Sequence, residues 1–133
     1  ILAADDVILV TTPEPTSITD AYSIVKMIHA KDKNVHMKLI INQCTSEKEG
    51  KQTADNFTNV TEQFLHKKIG TIGFIPSDVS VPTAVKKQIP FLLAFPNCST
   101  SQAMQNVTSE FLQIPVPYKL GIKGFILKML FKN

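Results

Sequence analysis

The side chains in this chain that could do chemistry stand where predicted strands end. Asn42 follows the predicted strand 35–41, and Pro76 and Asp78 follow the predicted strand 69–75. An asparagine amide can accept and donate hydrogen bonds at once, which suits the edge of an adenine base. A loop with proline could pack on such a base, and Asp78 could fix that loop or contact the exocyclic amine. The alternative is that Asn42 and Asp78 only form loops and cap helices, as every α/β protein requires.

Other patterns that carry chemistry are absent from the sequence. None of the five glycines belongs to a GxxxxGK[ST] phosphate-binding loop, and the three histidines stand singly. No Ser/His/Asp or Cys/His spacing stands out, so we predict no catalytic residue in this chain. Cys44 and Cys98 lie far apart without a CxxC pattern, which predicts two reduced thiols and no metal site.

The charge of the chain is concentrated at one end. All 14 basic residues are lysines, the net charge is +3, and four lysines lie within residues 119–133, which hold no acid. Without those four lysines the rest of the chain has a net charge of −1. A nearly neutral body without arginine is a poor candidate for reading nucleic-acid sequence. With 133 residues, 44% of them hydrophobic, the chain has the length and composition of one globular domain.

Apolar runs of strand length alternate with segments of helical period. The predicted strands span residues 6–12, 35–41 and 69–75. The predicted helices span residues 18–28, a segment that starts at Ser46, and residues 81–88 and 99–112, with a proline-bounded segment at 89–93. This alternation predicts an α/β fold with a parallel sheet and flanking helices, in which ligands bind beyond the carboxyl ends of the strands.

The predicted second helix has both a start signal and an apolar side. Ser46 with Glu49 three residues later forms a capping-box pattern. We expect the core-facing residues of this helix to be Ala54, Phe57, Val60 and Phe64.

The lysine-rich end combines cations with large apolar residues. Residues 113–118 read as an extended linker, and 119–133 as an amphipathic tail whose Ile122, Phe125 and Met129 fall broadly on one side of a helix. Leu120, Leu127 and Phe131 lie on the far side and spoil the pattern. The tail either lies on an anionic membrane surface or docks as a last helix on the body or on a second subunit.

The strings TTPEPTSITDAY, NQCTSEKEG and IGFIPSDVSVPTAVKKQIPFLL, with the Lys/Phe/Leu tail, resemble the MinD/ParA group of deviant-Walker ATPases. Within that group they are most similar to the FlhG branch, also called YlxH or FleN. The resemblance implies that residues 1–112 are the C-terminal part of a MinD-like P-loop NTPase domain. Because the chain begins at Ile1 without methionine, we expect the Walker A loop to lie upstream, so that this chain alone neither hydrolyses ATP nor holds a cofactor.

The resemblance also implies roles for particular residues. Asn42 matches the asparagine that recognises adenine, and Ile75, Pro76 and Asp78 match a segment that packs around the base. ATP and Mg²⁺ are expected in the full-length protein. Residues near an ATP-dependent dimer interface are expected to be Pro13, Glu14, Pro15 and Thr16. The expected membrane-binding residues are Ile122, Lys123, Phe125, Ile126, Lys128, Met129, Leu130, Phe131 and Lys132.

The implied function is regulation of flagellar number and placement from the cytoplasmic face of the membrane. The implied partners are the membrane surface, a second copy in an ATP-bound homodimer, an FlhF-type SRP GTPase and flagellar C-ring proteins. Two alternatives are a non-enzymatic membrane- or partner-binding module and a ParA-like partitioning factor. The missing arginines argue against the latter, although lysines can bind phosphates without sequence preference.

Overall fold

The fold is built on one small parallel sheet. The computed structural model describes residues 6–114 of the chain. Its strands are β1 (Asp6–Thr11), β2 (His36–Cys44) and β3 (Gly70–Pro76), paired in parallel in the order β1-β2-β3. Helices α1 (Pro15–Lys31) and α2 (Glu47–Leu65) make the two crossovers. The predicted α/β class with a parallel sheet and flanking helices is confirmed.

The middle of strand β2, residues 39–41, is buried on both faces, which explains its run of three apolar residues. Leu39 and Ile41 belong to the main core, where α1 and α2 contribute Val25 and Phe57. Ile40 points to the opposite face, where a second cluster forms. The sheet therefore separates two apolar layers, and residues that alternate along β2 serve both.

The second layer is covered by the elements that follow β3. These are α3 (Ser80–Lys86), the single turn α4 (Phe91–Ala94) and α5 (Ser99–Leu112). Val107 of α5 forms a buried cluster with Ile40 of β2 and Ile75 of β3. The proline-bounded segment 89–93 was predicted without a helix, yet α4 begins directly after Pro90. Proline is acceptable there because the start of a helix leaves backbone N–H groups unpaired in any case.

Two element boundaries differ from the predicted ones. Helix α1 begins at Pro15 rather than at residue 18, because a proline in the first helical position is already fixed near the helical φ angle. Strand β2 runs on to Cys44, because it pairs again with β3 after an irregularity at Gln43, whose φ is 56°. Asn42 therefore lies inside the strand, one residue before that irregularity.

The prediction that Val60 and Phe64 face the core is wrong. Their side chains are 40% and 64% exposed, whereas Thr53 and Thr61 are buried with the expected Phe57. The threonine hydroxyls donate to backbone carbonyls of their own helix, at 2.8 Å for Thr53 and 3.0 Å for Thr61. A hydroxyl satisfied in this way is inexpensive to bury, so the core-facing stripe of α2 is more polar than its apolar residues suggest.

None of the helices within residues 6–114 combines the length and apolar character that crossing a bilayer requires.

Candidate functional site

The carboxyl ends of β2 and β3 open into a groove of about 730 Å³. It lies on the face of the sheet that carries α5, between the strand ends and α3. Its walls come from all three strands and from α3, α4 and α5. The lining residues are Val10, Ile40, Asn42, Gln43, Ile75, Pro76, Ser77, Asp78, Val79, Val81, Pro82, Val85, Lys86, Phe91, Thr100 and Met104.

The groove brings together the four residues that the sequence proposed as cofactor-binding. Asn42 comes from β2, and Ile75, Pro76 and Asp78 come from β3 and the loop after it. They meet because the two strands are adjacent and parallel, so that their carboxyl ends share one edge.

The apolar walls of the groove were missed by sequence reasoning. Val81 and Val85 of α3, Phe91 of α4 and Met104 of α5 all line it. Their apolar character was visible in the sequence, but it does not distinguish a groove wall from a core contact. Only the packing of α3, α4 and α5 around the strand ends places these side chains.

Asn42 is half-buried and held by a local hydrogen bond. Its Oδ1 atom accepts from the backbone N–H of Gln43 at 2.9 Å. Gln43 itself has a positive φ, at the irregularity of the strand. The bond uses the carbonyl end of the amide, so the amide nitrogen is the group that could donate to a ring nitrogen of a base.

The carboxylate of Asp78 fixes the loop, the first of the two roles considered for it. Its Oδ1 atom accepts from the Ser80 N–H at 2.8 Å, and its Oδ2 atom accepts from the N–H and hydroxyl of Ser99 at 3.1 and 2.6 Å. The Ser99 hydroxyl first, and the Ser80 N–H second, hold the pKa of this carboxyl well below its usual range, because these donors stabilise the charged form.

The backbone of the same loop is also held from both sides. Thr100 donates its hydroxyl to the Pro76 carbonyl at 3.0 Å, and the Ser77 N–H donates to the Cys44 carbonyl at 2.9 Å. The loop after β3 is thus joined to the end of β2 on one side and to the first turn of α5 on the other.

The loop after β1 lies apart from the groove. The Ser17 hydroxyl accepts from the Thr12 N–H at 3.0 Å and pairs with the Thr11 hydroxyl at 2.8 Å, which fixes the turn. Of the four residues proposed for a dimer interface, Glu14, Pro15 and Thr16 are exposed and Pro13 is half-buried. Pro13 lines a separate cleft of about 270 Å³ between α1 and α2.

The start of α2 follows the capping-box prediction in part. The Ser46 hydroxyl accepts from the Glu49 N–H at 3.1 Å, as expected for the cap. The Glu49 carboxylate, however, accepts from the N–H and hydroxyl of Thr45. The Thr45 hydroxyl is the main cause of the lowered pKa of Glu49.

The two cysteines have structural contacts. The Cys44 thiol is buried and donates to the Ile41 carbonyl at 3.4 Å, and burial raises its pKa. Cys98 caps α5, where its sulfur accepts from the Ser101 N–H at 3.4 Å. Within residues 6–114, no group of three histidine, cysteine or carboxylate side chains is placed to hold a metal ion.

The proposed membrane-binding tail lies outside the described residues. This applies to Ile122, Lys123, Phe125, Ile126, Lys128, Met129, Leu130, Phe131 and Lys132.

Known proteins similar in sequence include an antiactivator and two site-determining proteins. No family model matches the chain. It is 36% identical over 115 residues to the antiactivator FleN of Pseudomonas aeruginosa, covering 86% of the chain and 41% of that protein. It is 29% identical to the flagellum site-determining protein YlxH of Helicobacter pylori, covering 96% of the chain and 45% of YlxH. It is 30% identical to the septum site-determining protein MinD of the same organism, covering 89% and 44%.

Solved structures with the same fold include MinD proteins. The MinD cell division protein of Aquifex aeolicus superposes with a TM-score of 0.67 at 21% identity, over 88% of this chain and 48% of that one. The Pyrococcus horikoshii MinD complexed with Mg-ADP superposes with a TM-score of 0.61 at 19% identity, over 83% and 42%. The chain thus spans less than half the length of these relatives.

The parallel sheet, its crossover helices and these neighbours define a partial P-loop NTPase fold of the MinD kind. Over most of its length the chain is similar to MinD/ParA-type proteins of the FlhG-like kind, and it corresponds to the C-terminal part of their domain. The predicted resemblance is confirmed.

Proposed function

We propose that this chain supplies the base-binding wall of the ATP site in a MinD-like ATPase that regulates the number and placement of flagella. The flagellar role is supported by the similarity to FleN and to YlxH, which is named for determining flagellar site. The nucleotide is supported by the fold shared with a MinD that was solved with Mg-ADP.

One observation carries the proposal. Asn42, Ile75, Pro76 and Asp78 line a single groove at the carboxyl ends of two parallel strands. Open α/β sheets bind ligands at this place, and about 730 Å³ is in the range of small-molecule sites.

The residues present fit a purine base. Valine, phenylalanine and methionine side chains offer apolar surface to the faces of the ring, and Pro76 adds a rigid contact from the loop. The amide nitrogen of Asn42 is available to donate to a ring nitrogen at the edge of the base. Asp78 acts on the base through the loop that it holds, since its bonds to Ser80 and Ser99 occupy both carboxylate oxygens.

Phosphate and Mg²⁺ would be held by residues outside this chain. Its sequence has no phosphate-binding glycine loop, and phosphate contacts supply much of the affinity and all of the hydrolytic chemistry of such ATPases. The chain alone therefore binds the base weakly and does not hydrolyse ATP.

The other steps of the proposed ATPase cycle are those that the resemblance to MinD/ParA ATPases implies. ATP joins two copies through an interface near Pro13, Glu14, Pro15 and Thr16, and the dimer attaches to the cytoplasmic face of the membrane through the tail. Hydrolysis releases it. An FlhF-type SRP GTPase and proteins of the flagellar C-ring are the partners through which this cycle acts on flagellar assembly.

The test is nucleotide affinity of the full-length protein that contains this chain. Asn42→Ala should weaken ATP binding about tenfold, which is about 1.4 kcal/mol, measured by calorimetry. Asn59→Ala, an exposed asparagine on α2, is the matched control and should bind like the parent. Full affinity in Asn42→Ala would make Asn42 a loop residue only.

A further inference from the structure

The loop at the base of the groove is held by a helix that begins far along the chain from it. We infer that Ser99 and Thr100, the first two residues of α5, are positioning residues for the candidate base-binding loop 76–78. The inference rests on the proposed function, because the loop needs exact placement only if a purine nucleoside packs on it.

Three hydrogen bonds join α5 to the loop. The Ser99 N–H and hydroxyl donate to Asp78 Oδ2 at 3.1 and 2.6 Å, across 21 positions of sequence. The Thr100 hydroxyl donates to the Pro76 carbonyl at 3.0 Å, across 24 positions. The bonds from Ser99 therefore fix the Asp78 side chain at the end of the loop. The bond from Thr100 fixes the backbone at its start.

The setting of these bonds makes them effective restraints. Thr100 is 3% exposed, and its bond to the Pro76 carbonyl is partly shielded from water. Ser99 is exposed, and its two bonds to Asp78 gain strength instead from the charge of the carboxylate that accepts them. Hydrogen bonds that water cannot replace are costly to break. The other oxygen of Asp78 accepts from Ser80 at the start of α3, so one carboxylate sets α3, α5 and the loop relative to one another.

Helix α5 in turn has little freedom to move over the sheet. Val107 packs directly on Gly73 of β3 in the second core cluster, and Met104 lines the groove one turn before it. The groove wall, the loop and α5 thus form one packed unit. A base that enters the groove meets a loop whose position is set by α5.

The ligand test uses variants that remove one bond at a time from the 133-residue chain. Ser99→Ala removes the hydroxyl bond and keeps the backbone bond, Ser99→Thr restores a hydroxyl, and Thr100→Val removes the bond to Pro76. Adenosine is titrated into ¹⁵N-labelled protein, with the Asn42 side-chain amide as the reporter. Ser99→Ala and Thr100→Val should weaken binding by roughly three- to tenfold, while Ser99→Thr recovers it. The control is Thr108→Val, whose lost hydroxyl bond lies within α5.

A second readout needs no ligand. The Ser77 N–H, which donates to Cys44, should exchange with solvent faster in Ser99→Ala and Thr100→Val than in the parent and in Thr108→Val. The pKa of the Asp78 carboxyl, followed by ¹³C titration, should rise in Ser99→Ala and return in Ser99→Thr, because the hydroxyl is the first cause of its low value.

The two readouts separate the two claims. If the parent chain shows no response to adenosine while Ser77 exchange still depends on Ser99 and Thr100, the positioning role stands and the proposed base site fails. If adenosine binds the parent and every variant equally, or if Ser77 exchange is the same in all of them, the positioning role is overturned.

Discussion

Gly73 of β3 and Val107 of α5 are in such close contact that no side chain fits between them. A Cβ atom added to Gly73 would stand 2.3 Å from the Val107 Cγ2 atom, well inside van der Waals contact. The absence of a side chain at Gly73 lets α5 lie directly on the sheet. The same helix carries Ser99 and Thr100 to the loop after β3, so this close approach also helps to shape the groove.

Replacing Gly73 by alanine should destabilise the fold. The added methyl group forces Val107 or the whole of α5 to move, and overpacking of this kind costs about 1–3 kcal/mol. The loss should be seen as a lower urea midpoint for unfolding.

Gly70, at the start of the same strand, provides the matched control. A Cβ atom added there meets no heavy atom within 4 Å, and its φ is not positive. Gly70→Ala should therefore leave stability unchanged or raise it by up to about 1 kcal/mol, since alanine restricts the unfolded chain. Equal losses in the two variants would contradict the close contact of Gly73 with Val107.

The bonds of Asp78 predict a stability that depends on pH. A carboxyl whose pKa is lower in the folded chain stabilises the fold fully above its unfolded pKa of about 3.9, and this contribution is lost as the pH falls below that value toward the folded pKa. Asp78→Asn removes the titrating group. The difference in unfolding free energy between the parent and Asp78→Asn should therefore shrink between pH 7 and pH 2.5, as measured by urea titration.

Other carboxyls are present in both proteins, so their effects cancel in this difference. Asp55→Asn changes an exposed aspartate on α2 and serves as the comparison for loss of one negative charge. A difference between the parent and Asp78→Asn that stays constant with pH would show that the bonds to Ser80 and Ser99 do not favour the charged carboxylate.

Two phenylalanines of α2 should behave very differently. Phe57 is 2% exposed in the main core and Phe64 is 64% exposed. Phe57→Ala should cost about 3–5 kcal/mol of stability, because it leaves a cavity. Phe64→Ala should cost less than about 1 kcal/mol, because little of its surface leaves water. Similar melting temperatures for the two variants would contradict the orientation of α2.

Helix α2 shows which part of the structure could be predicted from the sequence and which could not. The fold class followed from apolar runs of strand length alternating with helical segments, because a parallel sheet needs both. The inward face of α2 was predicted from apolar spacing alone, and that spacing includes Val60 and Phe64. The structure buries Thr53 and Thr61 instead, since their hydroxyls find partners in the backbone of their own helix. The spacing of apolar residues does not show that a polar side chain can be buried because it has a hydrogen-bond partner in its own helix.

For the groove, too, the sequence predicted some residues and not others. Asn42 and Pro76 could be placed in it from the sequence, because strand ends in a parallel sheet share one edge. Ser99 and Thr100 could not, because they lie more than 20 positions beyond the loop and reach it only through the packing of α5 on β3. Contacts set by sequence order are predictable, and those set by packing of distant elements are not.

The lysine-rich tail predicts binding to anionic vesicles. In the intact 133-residue chain, Phe125→Asp with Phe131→Asp should abolish sedimentation with phosphatidylglycerol vesicles, because the change replaces two large apolar side chains of the tail by negative charges that anionic headgroups repel. Phe64→Asp, which changes a phenylalanine 64% exposed on α2, should sediment like the parent. Raising the salt concentration should also weaken binding by the parent, since each lysine near the surface contributes about 1 kcal/mol of screened attraction. Sedimentation that survives the two tail substitutions would assign membrane binding to another surface.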